Sequence, residues 1–302
     1  MEEVMRRNSL ILNEESFKVG LSFQPGPTDV FITTYPKCGT TWVSFIAHTL
    51  RTRGQHLDFE EIIEVCPWTI FAHELNIPLD GPQLGAPRIY KSHEDYKMVP
   101  KGGKYIYVVR NPQDACVSFY HFLISFVGLS EDDVPIDEFI QKLFLNSESP
   151  SGTIFHHYLS FYEQRKSENI LFVFYEDLLA NLEVVIEKIA LFMNIDLDAD
   201  LRAITLEHTS FAFMRARSTQ FDEHLMFDKC KGRMGLAPDV QTRTEKVNKG
   251  KRGAGDSELT PEHHRQLEAA WQEVFGATTG VKSYQQLWEE LSPLAPSATC
   301  HT

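Results

Sequence analysis

Apolar residues recur along this chain in two rhythms. The first is a short, β-rich run without alternation, bounded by turn residues. DVFITTYP, PRIYKSH, KYIYVVRNP and ILFVFYED (Ile170 to Asp177) all read this way, and in the third Asn111-Pro112 stops the run after Val109. Unbroken apolar runs of this length suit strands buried on both faces. The second rhythm is helical. It covers Thr41 to about Arg53 and Gln113 to Phe126. It also covers Leu182 to Met193, where Leu182, Val185, Ile186, Ile189 and Phe192 share one face. Strands separated by helices predict an α/β fold, a central parallel sheet with helices on both sides. No internal repeat or Pro/Gly/Ser-rich linker divides the pattern, so one domain is expected over 1–302. Residues 1–27, polar and running into QPGPT, read as a lead-in loop, 28–291 as the core, and 292–302 as a flexible tail. Between Asp228 and Asp256 the periodicity fades into glycines and basic residues, which predicts a long loop.

Composition narrows the class. The chain has 302 residues, 42% hydrophobic and 24% charged, which fits a globular protein with a large core. A net charge of -13 argues against general binding of nucleic acid, which needs a basic footprint. The N-terminal MEEVMRRNSL carries no apolar run and no stretch is long enough to span a bilayer, so neither a signal peptide nor a membrane anchor is expected. Five scattered cysteines with no CxxC pair point to a reducing compartment, the cytoplasm, and away from a zinc site or disulfide framework.

The strongest local chemistry is TTYPKCGTTW, Thr33 to Trp42. A buried strand enters a tight turn and then a helix. The free N–H groups and positive dipole end of that helix form an anion site. Gly39 lets backbone approach the anion, Lys37 adds a point charge, and Thr40 and Thr41 add hydroxyls. The motif is P-loop-like but not a Walker A, because Lys37 precedes Gly39 instead of following it. A lone magnesium-binding aspartate at a strand end is also not evident. Arg110 ends another strand, where open α/β sheets bind ligands, with an ion pair to Asp114 as its competing role. Of twelve histidines, His93 is the one at a strand end close to a lysine, Lys91.

PKCGTTW resembles the 5′-phosphosulfate loop of the cytosolic PAPS-dependent sulfotransferases, PAPS being 3′-phosphoadenosine 5′-phosphosulfate. The family's other motifs follow in order: KSH at Lys91 to His93, RNPQDACVSFYHF from Arg110, YED at Tyr175, HTSF from His208, and NKG from Asn248. The resemblance spans roughly residues 28 to 255. It implies that Lys37, Cys38, Gly39, Thr40 and Thr41 hold the 5′ end of the cofactor. Arg110 and Ser118 would hold its 3′-phosphate, together with Asn248, Lys249 and Gly250. Trp42 and Tyr175 would contact adenine, and Thr209, Ser210, Phe211 and Met214 the adenosine side. His93 is the expected general base, and Lys37 and Lys91 the groups that stabilise developing charge. No metal is called for. The expected partner is a small-molecule acceptor, a phenol, alcohol or amine, in a pocket lined by Phe71, Phe122 and His157 beside Lys91 and His93.

The chain departs from the family pattern in places. Cys38 replaces a serine, and beside Lys37 at a helix start its thiol is expected to ionise readily. Asn248 replaces an arginine. The family's short C-terminal dimerisation motif is not recognisable, which leaves a homodimer open. A nucleotide-dependent small-molecule kinase and a non-catalytic nucleotide-binding protein are the competing readings.

Overall fold

The computed structural model describes residues 1–147, 152–241, 244 and 253–295. Four strands, β1 (Val30–Thr34), β2 (Ile89–Ser92), β3 (Lys104–Val109) and β4 (Ile170–Phe174), form one parallel sheet in the order β2-β1-β3-β4. β1 lies between β2 and β3, pairing Phe31 with Tyr90 on one side and with Tyr105 on the other. The chain therefore leaves β1 toward one edge and reaches β3 on the other side. This reversal opens a crevice at the carboxyl ends of β1 and β3.

Alternation along the strands sorts two kinds of core. Phe31, Tyr90, Tyr105, Tyr107 and Phe174 face one layer, with α4 (Pro112–Phe126) and α5 (Ile154–Tyr162) packed on it. Val30, Ile32, Ile89, Ile106 and Val108 face the other, covered by α3 (Thr40–Arg51) and α6 (Leu182–Phe192). The first layer is aromatic: Tyr107 stacks on Phe161 with ring centroids 3.9 Å apart. Burying each such ring contributes about 1.5–3 kcal/mol.

Three sequence expectations change. The lead-in is not a loop, because α1 (Glu2–Ser9) and α2 (Glu14–Ser22) occupy it. The Asn13 side chain caps α2 by accepting the N–H groups of Glu15 and Ser16. Arg7 Nη1 ties α1 to the end of α4 by donating to the Val127 carbonyl at 2.7 Å. A short polar helix with no long apolar stripe has too weak a period to be seen in sequence. The last apolar run stops at Phe174, since Tyr175–Ala180 is helical. The long loop expected from Asp228 to Asp256 is helical at its two ends, where His224–Cys230 runs into it and Ala254–Glu258 leads out, while residues 231–240 hold only turns and irregular chain. Among the described residues no helix is long and apolar enough to cross a membrane.

Candidate active site

The crevice holds a pocket of about 940 Å³, open solvent at its mouth included. One wall is the turn between β1 and α3. Gly39 sits at φ 110°, a conformation that disfavours any side chain. A Cβ there would also come within 2.9 Å of the Tyr175 ring. Lys37 is left-handed too, at φ 69°. No side chain caps α3, so the N–H groups of its first turn are presented to the pocket without a local acceptor. The Thr34 and Thr40 hydroxyls lie 2.6 Å apart beneath them. The Lys37 ammonium sits 4.3 Å from the Phe122 ring centroid.

Arg110 follows β3 and is held on three sides. Its Nη1 donates to the Lys37 carbonyl at 2.9 Å, its guanidinium lies 4.4 Å over the Tyr175 ring, and Tyr158 brackets its backbone. The Tyr158 hydroxyl donates to the Arg110 carbonyl at 2.6 Å and accepts its N–H at 3.1 Å. The Arg110 Nε is buried and makes no hydrogen bond among the described residues. A buried guanidinium nitrogen without an acceptor is costly, and an anionic ligand would satisfy it. Asp114 is not its partner. That carboxylate instead accepts the Gly253 and Gly255 N–H groups at 3.1 and 2.9 Å, anchoring the start of the helix Ala254–Glu258. Ser118, further along α4, lines the same wall.

His93 stands at the opposite wall. Its Nδ1 lies 2.9 Å from the Thr34 carbonyl, which can only accept, so Nδ1 carries the proton and the lone pair sits on Nε2. His157 supports it from below. The Tyr107 hydroxyl donates to His157 Nδ1 at 2.8 Å, and His157 Nε2–H donates to the His93 carbonyl at 3.2 Å. Burial holds the His157 imidazole down to about 4, so it is neutral. Lys91 completes this wall. Its ammonium donates to Glu223 Oε1 at 2.6 Å and lies 4.6 Å over the Trp68 ring, which meets His93 edge-on at 5.1 Å.

The Sulfotransferase domain family matches residues 27–279. Sulfotransferase 1E1 of Bos taurus is 33% identical over 67% of this chain and 70% of its own length. Sulfotransferase 1B1 of Mus musculus is 32% identical over 75% and 82%. The chain belongs to the sulfotransferase family. The fold agrees: mouse sulfotransferase SULT7A1, solved in complex with PAP, superposes with a TM-score of 0.66 at 23% identity, covering 93% of this chain and 95% of that one.

In this sulfotransferase the pocket gathers Lys37, Gly39, Thr40, Thr41, Trp42, Lys91, His93, Arg110, Ser118, Phe122, Tyr175, Phe211 and Met214. The Trp42 and Tyr175 rings stand edge-on at 6.0 Å, and Trp42 Nε1 donates to the Thr209 carbonyl at 2.8 Å. Thr209 thus acts through its backbone with its side chain buried, and Ser210 caps the helix Phe211–Arg215. Besides Thr209 and Ser210, three expected residues are not on the wall. Phe71 is buried in the core, stacked on Trp68, and it is Trp68 that reaches His93. His157 lies beneath His93 instead of lining the pocket. Cys38 turns inward to the Tyr158 hydroxyl at 3.4 Å, and burial pushes its thiol up to about 12. The expected easy ionisation of Cys38 is therefore wrong, because desolvation outweighs the nearby cation. Asn248, Lys249 and Gly250 lie outside the described residues. Trp68, Leu179, Tyr158 and Glu176 were missed. Glu176 accepts the Asn111 N–H at 3.0 Å and holds the turn after Arg110. Only Glu176, inside YED, had a sequence signal that could have found it.

Proposed function

We propose that this sulfotransferase moves a sulfuryl group from PAPS to a hydroxyl or amine of a small acceptor, between the β1–α3 turn and His93. The observation that carries the reading is the meeting, in one pocket, of an uncapped helix start, a guanidinium with a buried unsatisfied Nε and a histidine with its lone pair on Nε2.

PAPS, when bound, supplies a sulfuryl group on a phosphate leaving oxygen. The chain's residues do the rest by position and charge. The α3 N–H groups with Lys37, Thr40 and Thr41 receive the 5′ end. Arg110 and Ser118 take the 3′-phosphate, with Asn248, Lys249 and Gly250 as the expected clamp. Trp42, Tyr175, Phe211 and Met214 offer flat or flexible apolar surface to adenine. His93 Nε2 removes the acceptor proton as the new bond to sulfur forms, and the Lys37 and Lys91 ammoniums offset charge as the old bond breaks. Phe122 gives the acceptor an apolar wall. The buried free cysteines Cys38, Cys66, Cys116 and Cys230 support activity in a reducing compartment, the cytoplasm.

A panel of phenols, alcohols and amines assayed with radiolabelled PAPS tests the reading. Labelled product from at least one class is expected, with saturable binding of the desulfated donor by calorimetry. A protein that binds that nucleotide tightly yet labels nothing would be a binding protein and not an enzyme.

A further inference from the structure

Glu223 lines the pocket beside Lys91, yet its backbone is left-handed at φ 64°. A side-chain-bearing residue adopts that region rarely, and such strain persists only where the surroundings fix it. Here they do. The Glu223 carbonyl accepts the Phe227 N–H at 2.9 Å. The Leu225 N–H donates to Glu61 Oε2 at 2.8 Å, and the Thr244 hydroxyl donates to the Asp222 carbonyl at 2.6 Å. The turn delivers a buried carboxylate to a buried ammonium, 2.6 Å from Lys91 Nζ, with side-chain exposures of 5% and 10%. The same ammonium rests on Trp68, whose ring abuts His93. A lysine on a four-carbon stem ordinarily loses its rotamer freedom only when a ligand arrives. This one has lost it already, with its charge held next to the histidine.

We propose that Glu223 is a positioning residue for sulfuryl transfer, acting through Lys91. The proposal rests on the transferase reading above. The Glu223 carboxylate holds one ammonium proton and so fixes where the remaining two point. It also balances the ammonium's charge at the acceptor end, so Lys91 stays on that wall and is not drawn toward the phosphates. Pre-set geometry of this kind acts on turnover more than on donor binding.

The test is a double-mutant cycle on the full chain: wild type, Glu223→Gln, Lys91→Met and the double variant. Each is assayed with PAPS and the panel acceptor that the wild type uses best, and each is titrated with the desulfated donor by calorimetry. Glu223→Gln is expected to lower kcat roughly 10- to 100-fold while the donor KM and nucleotide affinity move less than about 3-fold. Glu223→Asp should recover part of the loss. In the Lys91→Met background, Glu223→Gln should cause no further loss. Multiplying losses in the double variant, an unchanged kcat in Glu223→Gln, or equal loss of nucleotide binding and turnover would each overturn the proposal. Wild-type protein that labels no acceptor would instead overturn the transferase reading and this one with it.

Discussion

The two ends of the pocket, donor and acceptor in the proposed reading, are built by different means. The donor end is made of backbone. A strand end, an uncapped helix start, Gly39 at φ 110° and the Arg110 backbone bracketed by Tyr158 fix its shape. Its phosphate-facing residues, Lys37 to Thr41 and Arg110 to Ser118, are close in sequence within two strand-turn-helix units. The acceptor end is made of side chains from distant segments. Trp68, Lys91, His157 and Glu223 meet around His93 through ring contacts, a buried ion pair and histidine hydrogen bonds. A backbone site suits an unvarying nucleotide, whereas a side-chain site can change with the acceptor while the sheet stays the same.

His93 stands at the seam, so it separates the two ends most sharply. His93→Ala should lower kcat/KM by about 10²–10⁴-fold, the usual contribution of a positioned base. Affinity for the desulfated donor, measured by calorimetry, should stay within about 3-fold if the donor end is an independent backbone site. A comparable loss of nucleotide affinity would show that the ends are one unit.

The acceptor end should also respond to acid. His157 ordinarily titrates near 6.5, and burial lowers it to about 4 in the fold. Between those values the unfolded chain binds a proton that the folded chain refuses. Its contribution is therefore complete above about 6.5 and is lost as the pH falls toward 4, by up to roughly 3 kcal/mol. Buried His48 shifts the same way, while buried Glu94 and Glu176 are raised and oppose it. The difference between wild type and His157→Gln isolates the effect. Urea midpoints at pH 7.5 and 4.5 should fall more for the wild type than for the variant. Parallel falls would remove His157 from the account.

The same contrast explains what the sequence disclosed. The four parallel strands were legible because strands buried on both faces show as unbroken apolar runs. The strand-turn-helix geometry of the proposed donor end was legible because it is local: PKCGTTW and RNP each carry strand end, turn and helix start together. Phe71 was expected on the wall and lies behind Trp68, because choosing between two aromatics three residues apart requires knowing which way a four-residue helix turns. Cys38 was expected to be reactive because its sequence neighbours are cationic, yet its side chain points to Tyr158, 120 residues away. The partners of Lys91 and His157 are likewise set by packing across the sheet, which no local period records.

At the donor end the charge-assisted contact can be removed alone. Arg110→Ala should weaken affinity for the desulfated donor by about 1.5–3 kcal/mol, the range for hydrogen bonds to charged groups. Acceptor KM should be nearly unchanged. Adenosine 5′-phosphate, which lacks the 3′-phosphate, should bind wild type and variant alike. A similar loss for both nucleotides would mean that Arg110 supports the loop through its 2.9 Å bond to the Lys37 carbonyl instead of reading the phosphate.

The smallest change tests whether backbone geometry governs the donor end. Tyr158→Phe removes one buried oxygen that does not itself line the pocket and reaches it only through the Arg110 backbone. It leaves the Arg110 N–H and carbonyl without their bracket, and takes the Cys38 sulfur's partner at 3.4 Å as well. Burial already holds the Tyr158 hydroxyl un-ionised, well above the ordinary tyrosine range, so no charge is lost. The cost should be about 1–2 kcal/mol of stability, from backbone groups left unsatisfied. If those groups set the position of Arg110, nucleotide affinity should fall by several-fold too, and the acceptor KM should not. A variant with lower urea midpoint but wild-type nucleotide affinity would show that the guanidinium is placed by its stacking on Tyr175 and its bond to Lys37. The donor end would then depend on side chains as much as the acceptor end does.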